Sequence, residues 1–358
     1  MENYKQQLID LTKCENVLST GLFYGHMGIC LSLYLMNKTF KSEEIENLAD
    51  KHLDKVITDI ARMKDVSFDC GLAGIGWAIN CLHTNCCIKG KIDEILFEID
   101  ALLYRNLCKQ NRIFQCDLVN GLTGTLVYFV YRLKYKGNNI SDIQRSIIQT
   151  ALQIIIDKLE NNVPPKFTNL SKDLYSSVLW DFPILFFYLG ESMRLGIYKD
   201  KIMAMLNSWS YLFTGSLPFL HINRLSLANS LAYINLELNN RLVEKYVDTL
   251  FYSINFDDYI CEIDRGSIVL NGDWFCALFN ANRALHLMNP NHVRFYALET
   301  VYPELYKLYC KNVKDKLNEF SLNPNNVSLI NGLCGSMLVY YYFKELNHSP
   351  SKTELFIL

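Results

Sequence analysis

The sequence lacks long runs of a single charge. Lys and Arg together number 35 and Asp and Glu together number 37, and no dense Lys/Arg stretch occurs. Proteins that bind nucleic acid or an anionic membrane by electrostatic attraction usually carry a basic face or stripe. We therefore do not expect nucleic acid or an anionic membrane surface as a partner.

Signals for export and for membrane insertion are also missing. No uncharged apolar stretch reaches the roughly 18 residues that could span a bilayer. Residues Met1 to Lys5 do not have the charged-then-apolar layout of a signal peptide. A cytoplasmic protein without a membrane span is expected. The 12 cysteines form no dense framework like that of small secreted domains, so they are expected to be reduced thiols.

Apolar residues, in contrast, are abundant. They make up 50% of the 358 residues, whereas charged residues make up 20%. Such a composition is too apolar for a disordered chain and indicates that whole helices are buried. The length allows either two ordinary domains or one large closed architecture.

Internal repeats favour the second possibility. A Gly-x-x-Gly motif followed by an apolar run occurs four times, and weaker copies follow Trp180, Arg224 and Asn271. Together they make seven repeats, each long enough for one helical hairpin. The glycines predicted to have a structural role are Gly25, Gly28, Gly71, Gly74, Gly121, Gly124, Gly272, Gly332 and Gly335.

Each repeat is predicted to contribute an inner and an outer helix. The runs after the glycines are apolar on nearly every side, which is typical of helices surrounded by protein. Stretches with a clearer polar face are predicted as outer helices: 42–63, 91–109, 141–159, 199–213, 240–254 and 291–312. A helix within residues 2–11 would supply the last outer partner and close the ring. We therefore predict a single all-α domain over residues 1–358, an (α/α) toroid, with an inter-repeat loop at Pro164 and Pro165.

The glycines suggest a pocket where the inner helices begin. Glycine permits close backbone approach, and the first N–H groups of a helix carry partial positive charge that suits anions or polarised carbonyls. Inner helices crowded together at one end would direct these groups toward a common mouth. The alternative is that the motif only fits helices together, and the sequence leaves both open.

The repeat pattern resembles the lanthionine synthetase C-like (LanC-like) cyclases. The phrases that carry the resemblance are Gly25-His26-Met27-Gly28-Ile29, Gly71-Leu72-Ala73-Gly74-Ile75-Gly76, Asp117-Leu118-Val119-Asn120-Gly121-Leu122-Thr123-Gly124 and Gly332-Leu333-Cys334-Gly335. The resemblance implies an α/α toroid with seven inner helices. It also implies zinc-assisted addition of peptide cysteine thiols to dehydrated Ser or Thr during maturation of ribosomally made peptides.

The residues that the resemblance would make catalytic are only partly kept. Asp117 matches the family's acidic residue in the third repeat, whereas Trp180 stands where the family has a histidine. Leu270 and Asn271 stand at two zinc-ligand positions. The third, in the fifth repeat around His221, has no cysteine. Because catalytic zinc needs about three protein ligands, the usual site is not expected and no cofactor is predicted.

Pocket residues follow from the same alignment. The side chains predicted to line the mouth are His26, Cys70, Asn120, Trp180, Asp181, His221, Asn271, Asp273 and Asn331. Asp117 is the one catalytic candidate, although an Asp before a helix start is commonly a cap or loop residue. Zinc is conceivable only at a non-standard site, either near Cys81, Cys86 and Cys87 or in a site rebuilt from His26, Cys70, His221 and Asp273.

Three functions remain open at this stage. The leading hypothesis is a degenerate cyclase, a pseudoenzyme that binds a precursor peptide in its central cavity, with other peptide-modifying enzymes as further candidate partners. The second is an active peptide-modifying enzyme with a relocated metal or with metal-free acid/base chemistry at Asp117. The third is another α/α-toroid enzyme such as a glycosidase, which would need two facing carboxylates.

Overall fold

The protein is described by a computed structural model built from α-helices. It covers residues 19–348 apart from 91, 110–114, 135–139, 264–266, 289–291 and 318–326, together with residues 6, 9, 10, 12 and 13. Within this part of the chain there is no β-strand beyond one bridged pair, Ser19 and Gly25. The all-α prediction is therefore confirmed. Most of the helix predicted within residues 2–11 lies outside the described residues.

The described residues form 14 α-helices. They are α1 (His26–Phe40), α2 (Glu43–Ile60), α3 (Leu72–Thr84), α4 (Ile92–Leu107), α5 (Leu122–Lys134), α6 (Asp142–Asn162), α7 (Asp181–Arg194), α8 (Lys199–Phe213), α9 (His221–Leu238), α10 (Arg241–Tyr252), α11 (Phe256–Ile263), α12 (Asp273–Leu287), α13 (Val293–Leu317) and α14 (Leu333–His348). Helices α1, α3, α5, α7, α9, α12 and α14 begin where the seven repeats place inner helices.

Inner and outer helices differ in burial as the patterns predict. In α3 every residue from Leu72 to Leu82 is buried. In α2 the buried residues recur every three or four positions along one face: Ile45, Leu48, Ala49, His52 and Val56. That spacing leaves the other face of α2 to solvent. Two elements were not predicted: the short helix α11, and a 3₁₀ turn over Pro164–Asn169 in place of the loop, where proline at the first positions suits a helical start.

The chain divides into two compact units. Unit 1 contains residues 1–151 together with 313–358, and unit 2 contains residues 152–312. The segment 313–358 lies in unit 1 because α14 packs against α1. Each unit is described below by itself, and the single domain over residues 1–358 stays a prediction.

In unit 1, the loops before the inner helices are bonded in one repeated pattern. We call them the glycine loops, because each ends at the second glycine of its motif. In each pair of neighbouring repeats, one backbone N–H of the first loop donates to one carbonyl of the second loop. The donor stands six residues before the second glycine of its own motif, and the acceptor stands five residues before the second glycine of the other motif. The bonds are Leu329 N–H to Phe23 O (3.1 Å), Leu22 N–H to Asp69 O (2.8 Å) and Phe68 N–H to Val119 O (2.8 Å). The seventh repeat is thus bonded to the first, the first to the second, and the second to the third.

Glycine is required where these loops cross their own helices. A Cβ at Gly74 would lie 1.8 Å from the carbonyl oxygen of Phe68 in its own loop and 3.1 Å from Cβ of Leu22 in the neighbouring loop. Gly28 and Gly124 have the same two kinds of neighbour. A Cβ cannot approach a carbonyl oxygen so closely, so any larger residue would force the loop off the helix. These contacts support the alternative in which the motif fits loops and helices together.

A buried charged network joins α4 and α5 in unit 1. The fully buried Arg132 donates from Nη2 to Asp93 Oδ1 at 2.9 Å, and its Nε lies 3.5 Å from Asp100 Oδ2. Tyr128 OH donates to Asp100 Oδ1 at 2.6 Å. Burial raises the pKa of Asp100 to about 6, although Arg132 opposes the shift. Breaking one side of such a pair leaves a buried charge uncompensated, so the network fixes the pairing of these two helices.

Candidate functional site

The residue before the first glycine of each motif lies at the start of an inner helix. In unit 1 these residues are Tyr24, Cys70, Asn120 and Asn331. Asn331 Nδ2 lies 3.4 Å from Tyr24 OH, and both residues are exposed. Cys70 is half-buried, and burial together with Asp69 raises the pKa of its thiol to about 11, which keeps it protonated at neutral pH. The residues at this position in the four motifs of unit 1 are therefore uncharged and can hydrogen bond.

His26 faces the outer helix of its own repeat. Its Nδ1 lies 2.8 Å from Nδ1 of His52 on α2, and both rings are buried. Nε2 of His52 lies 3.2 Å from the carbonyl oxygen of Thr12. Because a carbonyl only accepts, Nε2 of His52 is the donor to Thr12. When both rings are neutral, His26 therefore donates the bond between them. Nδ1 of His26 therefore joins α1 to α2. A pocket role for His26 stays a prediction.

Asp117 closes the loop before α5. Its Oδ1 accepts the backbone N–H of Asn120 at 2.7 Å, and Thr123 Oγ1 donates to the carbonyl of Cys116 at 2.6 Å. Asp117 is half-buried and Asn120 is exposed. This contact is the one expected of a loop or cap residue. The acid/base role of Asp117 remains a prediction.

In unit 2, a polar cluster lies at the start of α12. Ser176 Oγ donates to Asp273 Oδ1, and Ser177 Oγ donates to Asn271 Oδ1. The backbone of Ser177 also contacts the thiol of the buried Cys276, whose pKa burial raises to about 12. Two of the predicted pocket residues, Asn271 and Asp273, are thus brought together by neighbouring serines.

The start of α9 is capped by a carboxylate from α11. Glu262 accepts the N–H of His221 at 2.7 Å and that of Ile222 at 3.0 Å, so it occupies the anion position at this helix start. Nδ1 of His221 faces the N–H of Asn255 at 3.2 Å and Nη1 of Arg224 at 3.1 Å. Burial and then the Arg224 charge lower the pKa of His221. The imidazole is therefore neutral, with its proton on Nε2.

Trp180 and Asp181 lie at the start of α7. Trp180 Nε1 donates to Asp173 Oδ2 at 2.7 Å, which ties the indole to the preceding segment of its own loop. Both Trp180 and Asp181 are half-buried. Their role in a pocket stays a prediction.

The two alternative metal sites stay predictions. No three His, Cys, Asp or Glu side chains of the described part of the chain converge as a metal ion would require. Cys81 is buried at the end of α3, and burial raises its pKa to about 12. Cys86 is exposed and Cys87 half-buried, and the described cysteines are all free thiols. Whether the protein binds zinc remains to be measured.

The fold and these helix starts define an all-α repeat protein whose inner helices open at glycine loops in unit 1. The family model described as lanthionine synthetase C-like protein matches residues 16–178, which include the first three motifs. Over these residues the chain is similar to the LanC-like family. No curated protein matches the chain. None of the helices in the described ranges is long and apolar enough to cross a bilayer.

Leu270 and Asn271, which the sequence resemblance sets at two zinc-ligand positions, do not fit zinc. Leu270 has no donor atom and is 3% exposed, and the Asn271 oxygen accepts the hydroxyl of Ser177. Zinc sites in proteins use cysteine, histidine or carboxylate ligands. We therefore derive no chemical step through a metal at these positions.

Sequence reasoning missed the partners of the predicted residues. His52, Ser176, Ser177 and Glu262 all contact them, yet none lies in a motif. Each of these partners lies in a different element or loop from the predicted residue that it contacts. Only the tertiary packing brings the two together. Tyr24 is the exception, because its position before Gly25 matches that of Asn331 before Gly332.

Proposed function

We propose that the protein takes part in the maturation of ribosomally synthesised, lanthipeptide-type peptides by binding a precursor peptide without zinc-dependent ring formation. The LanC-like match over residues 16–178 supports the peptide-maturation class. The observation that carries the pseudoenzyme part is the pairing of Asn271 with Ser177, at a position where the family resemblance calls for a zinc-binding histidine.

The chemistry of the helix starts suits a peptide ligand. Amide side chains such as Asn120 and Asn331 both donate and accept, as the backbone of an extended peptide does. The Cys70 thiol, at the start of α3, stays protonated because its pKa is raised to about 11, so it is a poor nucleophile at neutral pH. Binding without covalent chemistry is the activity that these groups support.

A synthetic peptide with a dehydroalanine and a cysteine a few residues apart tests the proposal. Ring formation adds the thiol S–H across the C=C bond: sulfur bonds to Cβ, the proton ends on Cα, and the mass is unchanged. Loss of reaction with N-ethylmaleimide therefore reports the ring. We expect fluorescence anisotropy to show binding of the labelled peptide, and thiol loss no faster than without protein, with or without added zinc.

Zinc analysis of freshly purified protein completes the test. Stoichiometric zinc, or zinc-dependent loss of the peptide thiol, would overturn the proposal. Metal-independent thiol loss that Asp117→Asn abolishes would instead support the active-enzyme alternative, since asparagine keeps the oxygen that accepts the Asn120 N–H but cannot exchange a proton as a carboxylate does.

A further inference from the structure

The segment 173–177 lies across the starts of inner helices in unit 2, and we call it the strap. It connects the 3₁₀ turn to the loop of α7. The carbonyl of Tyr175 accepts from Asn223 Nδ2 on α9 at 3.1 Å. Ser176 and Ser177 then reach Asp273 and Asn271 at the start of α12. The strap thus hydrogen bonds to the first turns of two inner helices that are not its own.

The two faces of the strap are chemically different. The Tyr175 side chain is 86% exposed and that of Leu174 is 63% exposed, while Ser176 is 7% exposed. Backbone and hydroxyl groups therefore face the helix starts, and the large apolar groups face solvent. An apolar side chain left in water contributes little to holding a segment in place. Hydrogen bonds therefore retain the strap: those to α9 and α12, and the bond from Trp180 Nε1 to Asp173 within its own loop.

One polar atom at this site is left unpaired by the strap. Asn223 is fully buried, its Nδ2 donates to Tyr175, and its Oδ1 has no hydrogen-bond partner within the described residues. A buried carboxamide oxygen without a donor is unfavourable. An extended peptide has both a carbonyl and an N–H to offer, so it can pair both ends of this carboxamide where the strap pairs one.

We propose that the strap is an internal ligand of the unit 2 peptide site, and that an incoming peptide binds at Asn223, Asn271 and Asp273 by displacing it. This inference rests on the proposed function, because it assigns the binding of a peptide to the helix starts of unit 2 and names its regulation there. The strap is covalently attached, so its high effective concentration keeps the site closed to weak ligands. Only a peptide that makes the additional bond to Asn223 competes well.

Hydrogen–deuterium exchange of the strap tests the closed state without any peptide. We expect the double variant Ser176→Ala, Ser177→Ala to increase the exchange of amides in residues 173–177 by on the order of tenfold, since the hydroxyl bonds to Asp273 and Asn271 are both lost. The amide of Leu179 is left out of the comparison, because its N–H bonds to Ser177 Oγ at 2.9 Å and loses that partner whether or not the strap is released. The matched control Ser176→Thr, Ser177→Thr keeps both hydroxyls and should exchange as the wild type does. Leu174→Ala, which alters only the outward face, should also leave exchange unchanged.

A peptide with the sequence of residues 172–180, acetylated and amidated, tests the site itself. It should bind the alanine double variant on the order of tenfold more tightly than the wild type in fluorescence anisotropy, because the internal competitor is released. Equal affinity for both proteins, or unchanged exchange of the strap in the alanine variant, would refute the inference. If circular dichroism shows the double variant to be unfolded, Ser177→Ala alone serves in the same two measurements.

The outcome separates this inference from the proposed function. Binding of a precursor peptide that is insensitive to the strap variants would leave the proposed function intact and refute the internal ligand. The opposite result is that the strap is released and the 172–180 peptide binds, but no precursor peptide binds. It would support the strap as an internal ligand and refute the proposed function.

Discussion

At the scale of single residues, the surroundings of His221 determine its charge. The side chain is largely buried, and Nδ1 faces two donors, the N–H of Asn255 and the guanidinium of Arg224. A proton on Nδ1 would point at both. Burial and the Arg224 charge consequently lower the pKa of His221 below its ordinary value of 6.5, and the more distant carboxylates of Glu262 and Asp258 only partly oppose this.

This environment predicts a pH dependence of stability. His221 is neutral in both the folded and the unfolded protein above about pH 6.5, so its contribution is fully present there. As the pH falls below this value, the unfolded state takes up the proton first, and the free energy of unfolding decreases until the folded-state pKa is reached. His221→Gln, which keeps an acceptor but does not titrate, should remove this component of the pH slope in urea unfolding.

Nuclear magnetic resonance gives the direct measurement. The imidazole signals of ¹³C-histidine-labelled protein, with His221 assigned by the His221→Gln variant, should titrate at lower pH in the folded protein than in the same protein unfolded in urea. A folded midpoint equal to or above the unfolded one would show that the Asn255 and Arg224 donors do not face the ring in solution.

The same residue illustrates what the sequence reveals about the candidate site. Repeat alignment places His221, Asn271 and Asp273 at helix starts, because the position within a motif fixes the position on a helix. It does not reveal that Glu262 caps α9 or that Ser176 meets Asp273, since those partners are distant in sequence and follow no pattern. Whether the predicted residues form a binding site therefore depends on the experiments above.

At the scale of elements, α3 and α7 end in the same way with different residues. In α3 the N–H of Cys86 bonds to the carbonyl of His83, and in α7 the N–H of Gly196 bonds to that of Met193. In each helix the N–H of the next residue bonds to the carbonyl one residue further back, that of Leu82 or Ser192. This is the Schellman arrangement, which places one residue in the left-handed region. Cys86 has φ +55° and Gly196 has φ +72°.

The comparison predicts that replacing Cys86 by glycine and Gly196 by alanine changes the free energy of unfolding in opposite directions. A side chain in the left-handed region costs about 1 kcal/mol, so Cys86→Gly should increase the free energy of unfolding by up to about 1 kcal/mol. Gly196→Ala should decrease it by a similar amount, although a Cβ there would meet no atom within 4 Å. Urea denaturation of both variants checks the prediction, and a loss of stability in Cys86→Gly would contradict it.

Elements were more predictable than their contacts. The outer helix predicted over 199–213 coincides with α8, and the other predicted outer ranges overlap α2, α4, α6, α10 and α13, because a polar face on a helical period is visible in the sequence. Helix α11 was missed because its eight residues are too few for a clear period. The 3₁₀ turn at Pro164 was missed because prolines also mark loops.

At the scale of the whole molecule, the described contacts join the two ends of the chain. Leu329 near the C-terminus donates its N–H to Phe23, and its side chain packs where Gly28 has none. The same relation recurs from the first repeat to the second and from the second to the third. Repeat proteins distribute stability between neighbouring units, so the seventh repeat is expected to support α1 even though nearly the whole chain separates them.

This connection predicts that a change near the C-terminus loosens the N-terminal repeat. Leu329 is 4% exposed, so Leu329→Ala should lower the free energy of unfolding by about 2–5 kcal/mol through the cavity it leaves. Hydrogen–deuterium exchange should increase in α1 and in the loop at Phe23. Leu308→Ala, at a residue that is 39% exposed, is the matched control and should change neither quantity appreciably. If Leu329→Ala weakened protection only in α14, the seventh and first repeats would not support each other in solution, and the pattern of glycine loops would describe proximity without shared stability.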